Sequence, residues 1–226
     1  MIPPLIVEQA LRRGIRLIAI ADHNASANVE AVQQAAHDTD LTVLAGMELQ
    51  TREEVHVLCL FDRLDQLRVW QREVDDRLPA RENDVDLFGE QFVVDATGAF
   101  VRREPRLLIA SADVTLDDAV GRVSALGGLA IPAHVSKKAF SLIANLGLVP
   151  TDVQWEALEI SRHVSPDEVR GQFPSIGSLP LIRGGDAHYL DDILGWNELT
   201  LAAPTIAEIK KALRGEDGRA LRMLGD

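Results

Sequence analysis

LIAIADHN (residues 17–24) decides the fold: a short apolar run ends in a carboxylate, Asp22, and an imidazole, His23. Three other runs are built the same way: TVLAGMEL (42–49), LAIPAH (129–134) and LIRGGDAH (181–188). A fifth, VHVLCLF (55–61), carries its histidine near its start. Strands buried on both faces read as continuous apolar runs. In α/β folds, ligand groups gather at the carboxyl ends of such strands. These runs hold four of the six histidines, His23, His56, His134 and His188, together with Glu48 and Asp186. Several strand ends thus aim nitrogen and oxygen donors at one place, the pattern of a metal site.

Working outward, helical patterns alternate with these runs. Residues 4–13 read as a helix stopped by Gly14, and 26–37 as a second with Ser26 as its cap. Strands follow at 42–45 and 55–61, then a helix at about 62–77. A capped helix at 115–127 leads into strand 129–132. Strand 157–161, helix 166–171, strands 180–183 and 196–201 and helix 204–214 complete the list. This alternation predicts right-handed βαβ units around a parallel sheet or barrel. The charged stretch 78–106 breaks the rhythm and predicts a hairpin turning at Thr97-Gly98, an insertion at about 88–104 in one domain spanning 1–226.

A hydrophobic content of 46% supports a real core. No apolar stretch is long enough to span a bilayer, and the N-terminus lacks a signal-peptide layout. The one cysteine, Cys59, sits inside an apolar run and reads as a reduced structural thiol, with the cytoplasm as the default location. A net charge of −12 argues against a non-specific nucleic-acid binder, so nucleic acid is an unexpected partner. A small phosphorylated substrate remains compatible, because metal ions would supply local positive charge.

Taken singly, each site residue has a plain structural reading. His134 could cap a strand, Glu48 could be a solvated charge, and His56 could be a buried structural histidine. Asp186 and His188, two apart after a glycine pair, are the stronger signal. The combination favours a multinuclear metal cluster with a bridging carboxylate. No G-x-S-x-G elbow or Walker loop is present, and Cys59 is too apolar in setting to be a nucleophile. His37 and His163 stand outside the set.

IADHN, GMEL followed by VHV, IPAHVSK and GGDAH, in that order, resemble the motifs of the PHP (polymerase and histidinol phosphatase) family over nearly the whole chain. The resemblance implies a distorted (β/α)7 TIM-like barrel holding two or three divalent metal ions (Zn, Mn or Fe) at its strand C-termini. It also implies metal-dependent hydrolysis of a small phosphorylated metabolite or nucleotide. Carried over, Glu48 bridges two metals, His56 and His134 complete the second, Asp186 serves the first, and His23 and His188 hold the third. Asp22 orients ligands from behind. Lys137 and Arg162 are candidates for phosphate contact. Asp186 and His188 are the expected catalytic pair, His188 assisting the leaving oxygen. The family opens with a strand ending in H-x-H, which is absent from this sequence. The expectation is a barrel whose first strand is missing, with a start upstream of Met1 as the favoured explanation. The alternative is a catalytically impaired PHP-like scaffold that binds a partner or one metal.

Overall fold

The computed structural model of the protein describes residues 1–224. In chain order the elements are α1 (Pro3–Arg12), β1 (Leu17–Ile20), α2 (Val29–Ala35), β2 (Thr42–Gln50), β3 (His56–Phe61), α3 (Leu64–Asp75) and α4 (Val85–Phe88). Then come β4 (Phe92–Val94), β5 (Phe100–Arg103), α5 (Leu116–Ala125), β6 (Leu129–Pro132), α6 (Leu142–Leu146), β7 (Leu158–Ser161) and α7 (Pro166–Gln172). The last are β8 (Leu181–Gly184), β9 (Asn197–Thr200), α8 (Ile206–Arg214) and β10 (Ala220–Met223). None of the helices among the described residues is long and apolar enough to cross a membrane.

Strand β2 organises the molecule. Eight of its nine residues are buried, and it lies between β1 and β3 in a four-stranded sheet of order β1-β2-β3-β6. It approaches β1 so closely that a Cβ on Gly46 would lie 2.7 Å from the Ile20 carbonyl oxygen. Only glycine fits there. Met47, Leu49, Val57, Cys59 and Phe61 point into one core with Leu67, Trp70 and Val74 of α3. Each large side chain buried this way contributes roughly 1.5–3 kcal/mol. Ile206, Ile209 and Leu213 of α8 cover a second cluster against Leu44, Leu60 and Leu129. The expected cap of α5 is present: Thr115 accepts the Asp118 N–H.

Three sequence expectations are corrected. First, the sheet is mixed. β1 pairs with β2 in parallel, but β3 is antiparallel to both β2 and β6. The short loop 51–55 joins β2 to β3 as a hairpin, and a parallel crossover needs a dozen or more residues. Reversal of β3 explains why its histidine stands at its start: that end lies beside the carboxyl end of β2. Pairing runs out to Gln50–His56, so Glu48 lies within the strand and not after it.

Second, no closed barrel forms among the described residues. The remaining strands make three two-stranded pieces, β7-β8, β4-β5 and β10-β9. Ladder pairing stops after β6, which ends at Pro132, a residue without an N–H donor. At His134 the chain turns at φ +35°. The Val135 N–H to Glu159 carbonyl bond (2.8 Å) is what carries the sheet towards β7. Between β8 and β9 a side chain substitutes for a strand. Asn197 accepts from Arg183 N–H (3.0 Å) and donates to its carbonyl (2.9 Å).

Third, α2 starts at Val29, three residues after the expected cap, Ser26. Asn28 stands at its N-terminus, but its side chain is used elsewhere. It donates to Asp22 Oδ2 (3.1 Å) and the Phe92 carbonyl (3.2 Å) and accepts the Val94 N–H (3.0 Å). This ties the β4-β5 hairpin to the loop after β1. The hairpin itself turns where expected: Asp95 accepts the Thr97 and Ala99 N–H groups around Gly98 at φ +84°.

Candidate metal centre

β1, β2, β3 and β6 bring His23, Glu48, His56 and His134 together. Glu48 lies at the middle, almost fully buried. Its Oε1 lies 3.3 Å from His56 Nδ1 and 3.5 Å from His134 Nε2, and those two nitrogens are 3.2 Å apart. Its Oε2 lies 3.3 Å from His23 Nδ1. The carboxylate therefore divides its two oxygens between two sets of imidazoles.

The Oε1 set fits a cation. For metal–ligand bonds of 2.0–2.1 Å, the edge of a tetrahedron is about 3.3 Å. The three donor separations sit at that value. A divalent ion at their centre would take the lone pairs of both imidazole nitrogens and of the carboxylate oxygen at once. On the Oε2 side, His23 Nδ1 is buried without a hydrogen-bond partner. The donor atoms of His23, Glu48 and His56 all lie within 4.8 Å of one another.

Electrostatics agree with that reading. Burial alone would raise the Glu48 carboxyl, but His134 and His56, then His23, outweigh it and hold Glu48 ionised far below its ordinary range. Burial lowers His23, keeping the imidazole neutral and its lone pair free. Gln50 Oε1 lies 3.2 Å from His56 Nε2 and fixes the ring so that Nδ1 faces Glu48. Asp22 is half-buried, and burial raises its carboxyl against the opposing bond from Asn28. Its carbonyl accepts the Glu48 N–H (3.1 Å).

Of the other expected residues, Asp186, Lys137 and Arg162 line a small cleft of about 110 Å³ beside this cluster. Asp186 follows β8 with φ +42°. It pairs with the Lys137 ammonium, and its Oδ1 is 3.5 Å from His188 Nδ1. His188 is exposed, with its ring centroid 6.4 Å from that of His23. Arg162 lines the cleft but is engaged by Asp192 (2.8 Å). Both expected phosphate contacts thus have carboxylate partners in place. Cys59 is fully buried and its thiol is pushed up to about 12, an inert packing group.

Two residues essential to the geometry escaped the sequence reading. Glu159 of β7 is buried and its Oε2 accepts the His134 N–H (2.8 Å), fixing the backbone that presents the ligand. Its carboxyl occupies the space a Cβ on Gly184 would need. Burial pushes Glu159 up to about 7. Its signal was available: a lone charge inside the apolar run ALEIS. Asn24 is the second. Fully buried at φ +47°, it accepts the Gln50 N–H (2.9 Å) and donates to the carbonyls of Leu108 (2.7 Å) and Ala110 (2.8 Å). It locks the loop carrying His23 onto β2.

No family model and no curated protein matches the sequence. Solved structures do. Endonuclease Q from Pyrococcus furiosus superposes with a TM-score of 0.67 at 19% identity, covering 98% of this chain and 53% of that one. An endonuclease Q complex with a 27-mer duplex carrying an abasic lesion at the active site gives 0.63 at 18%, covering 97% and 53%. A candidate metal-dependent phosphoesterase from Bifidobacterium adolescentis gives 0.55 at 18%, covering 83% and 82%. The chain spans about half the length of the endonuclease Q chains it matches. The likeness establishes the fold, which this chain shares with endonuclease Q and with the Bifidobacterium protein. It also removes support for setting nucleic acid aside: a neighbour of the same fold holds a duplex substrate with an abasic lesion.

Proposed function

We propose that the protein is a metal-dependent phosphoester hydrolase. The observation that carries this reading is the Glu48 carboxylate, one oxygen at tetrahedral-edge distance from His56 and His134, the other facing His23. Glu48, His56 and His134 would hold one divalent ion, with His23 across the bridging carboxylate; Asp186 and His188 would serve neighbouring positions. Such ions supply Lewis acidity at phosphoryl oxygens and activate water at neutral pH.

The chain's own residues do the rest. Glu159 holds the backbone N–H of His134 and Gln50 faces Nε2 of the His56 ring, so the donors are positioned in advance. Lys137 and Arg162 put two cations on the cleft, where a phosphate could replace their present carboxylate partners. His188 has its Nδ1 3.0 Å from the Asp186 carbonyl, so Nε2 is the one ring atom left, either to hold a metal or, where no metal takes it, to pass a proton to a leaving oxygen. The substrate class we favour is a small phosphorylated metabolite or nucleotide. A second reading, a phosphodiester within nucleic acid, is favoured by the shared fold with a duplex-bound neighbour.

Metal analysis after loading with Zn²⁺ or Mn²⁺, with turnover of p-nitrophenyl phosphate and bis(p-nitrophenyl) phosphate, tests the proposal. Two or more ions per chain with turnover lost in His134→Ala is the expected result. A protein that takes up no metal, or that hydrolyses equally well without His134, overturns it.

A further inference from the structure

Phe140 is out of place on any purely structural account. It sits in the turn between β6 and α6 at φ +53°, a conformation that costs a bulky residue roughly 1–3 kcal/mol. The residue is 43% exposed, so burial does not repay that cost. Two contacts hold it there. Its carbonyl accepts the His56 N–H (3.0 Å), and its ring lies flat on the His56 imidazole, centroids 5.1 Å apart at 12°. Ser141 Oγ, donating to the Lys137 carbonyl (2.6 Å), closes the turn. His56 does not need the ring for its orientation, since Gln50, Glu48 and His134 already surround its two nitrogens. Phe140 is therefore stacked on a metal-ligand candidate while the residue as a whole stays exposed.

We propose that Phe140 determines specificity by stacking on a planar ring of the substrate, so that the site prefers phosphoesters carrying a nucleobase over alkyl phosphates of equal charge. The inference rests on the phosphoester reading of the centre and names its substrate class. The turn also carries Lys137, three residues earlier, so one segment presents both a cation for the phosphate and a platform for the base. Stacking of a base on an aromatic side chain changes affinity by roughly 5- to 100-fold.

Calorimetry on the Mn²⁺-loaded protein with adenosine monophosphate and glycerol 3-phosphate tests this directly. The native chain is expected to bind the nucleotide about 10-fold more tightly. Phe140→Leu should abolish that preference while keeping the glycerol phosphate affinity and the metal content; Phe140→Trp should retain it. Equal affinity for the two ligands in the native protein, no binding of either, or an equal loss for both in Phe140→Leu overturns the proposal. Turnover of the nitrophenyl esters is read separately. Its absence sinks the hydrolase reading, whereas the nucleotide preference stands or falls on the calorimetry alone.

Discussion

Replacing Glu159 by Gln should reveal a stability cost of the native carboxyl that builds up as pH rises from about 4.5 to 7 and is complete above it. Glu159 is buried, and its carboxyl is raised from 4.5 to about 7. Over that interval the folded chain binds more protons than the unfolded one, so the contribution of Glu159 to stability falls as pH rises and is fully adverse above pH 7. A shift of this size corresponds to roughly 3 kcal/mol. Gln mimics the protonated acid and still accepts the His134 N–H, but does not titrate. Urea unfolding followed by tryptophan fluorescence, with metal chelated, measures both proteins from pH 5 to 8. The difference should already be growing at pH 5, by about 1 kcal/mol per pH unit in favour of Gln, and should level off above pH 7 after a total change of roughly 2–3 kcal/mol between pH 5 and 8. Taking the difference cancels His23, whose lowered imidazole pushes stability the other way, and Asp22, whose raised carboxyl pushes it the same way. A difference independent of pH would refute the claim that Glu159 is held protonated. Adding Mn²⁺ or Zn²⁺ should shrink the slope, because a cation beside His134 favours the ionised carboxylate.

Four other outcomes follow from the same geometry. His134→Ala should lower metal affinity at least about 100-fold, seen by competition with a chromogenic chelator, since it removes a direct donor where second-shell losses alone cost 10- to 100-fold. Gly184→Ala forces the Glu159 carboxyl from its place and should cost about 1–3 kcal/mol in thermal unfolding, with the double variant Gly184→Ala/Glu159→Ala recovering part of it. Asn28→Ala leaves Asp22 and the β4 backbone without their shared partner and should cost about 1–3 kcal/mol, with faster proteolysis of the hairpin. Lys137→Met should raise KM for a phosphoester about 10-fold more than it lowers kcat if the ammonium binds the ground-state phosphate.

The donors were legible because chemistry and position coincide: an imidazole or carboxylate at the end of an apolar run has few structural reasons to be there. His23, Glu48, His56 and His134 accordingly converge. What the runs do not encode is strand direction. VHVLCLF has the composition of a buried strand either way round, and only the short connection from β2 makes it antiparallel. The parallel barrel was therefore an expectation of alternation, not of pairing. Glu159, Asn24 and Phe140 were missed for a different reason. Glu159 and Asn24 act through backbone groups of neighbours distant in sequence, and the left-handed conformations of Asn24, His134 and Asp186 fall on types enriched there but far commoner elsewhere, while Phe140 gives no such sign. A glycine at such positions would have signalled the turn; these residues are there for their side chains, and the fold bears the strain.

The charge argument shows where a composition ends and a site begins. A net charge of −12 bears on long-range steering and on non-specific affinity for a polyanion, which depend on the summed field of the surface. It does not bear on a phosphate inside a cleft, where the nearest charges dominate. Lys137 and Arg162 stand on that cleft, each now holding a carboxylate, and Glu48 with three histidines gathers donors that could hold a cation. A metal entering there would add two positive charges within bonding distance of the phosphate, more than the remote acidic surface removes across water at physiological salt. The acidic surface therefore selects against loose binding of nucleic acid without excluding cleavage of one phosphoester that reaches the centre. Salt dependence separates the two. A substrate recognised only at the cleft should show a shallow slope of log(kcat/KM) against log salt, about one or two counterions, whereas a substrate gripped along its backbone would show a slope several times steeper.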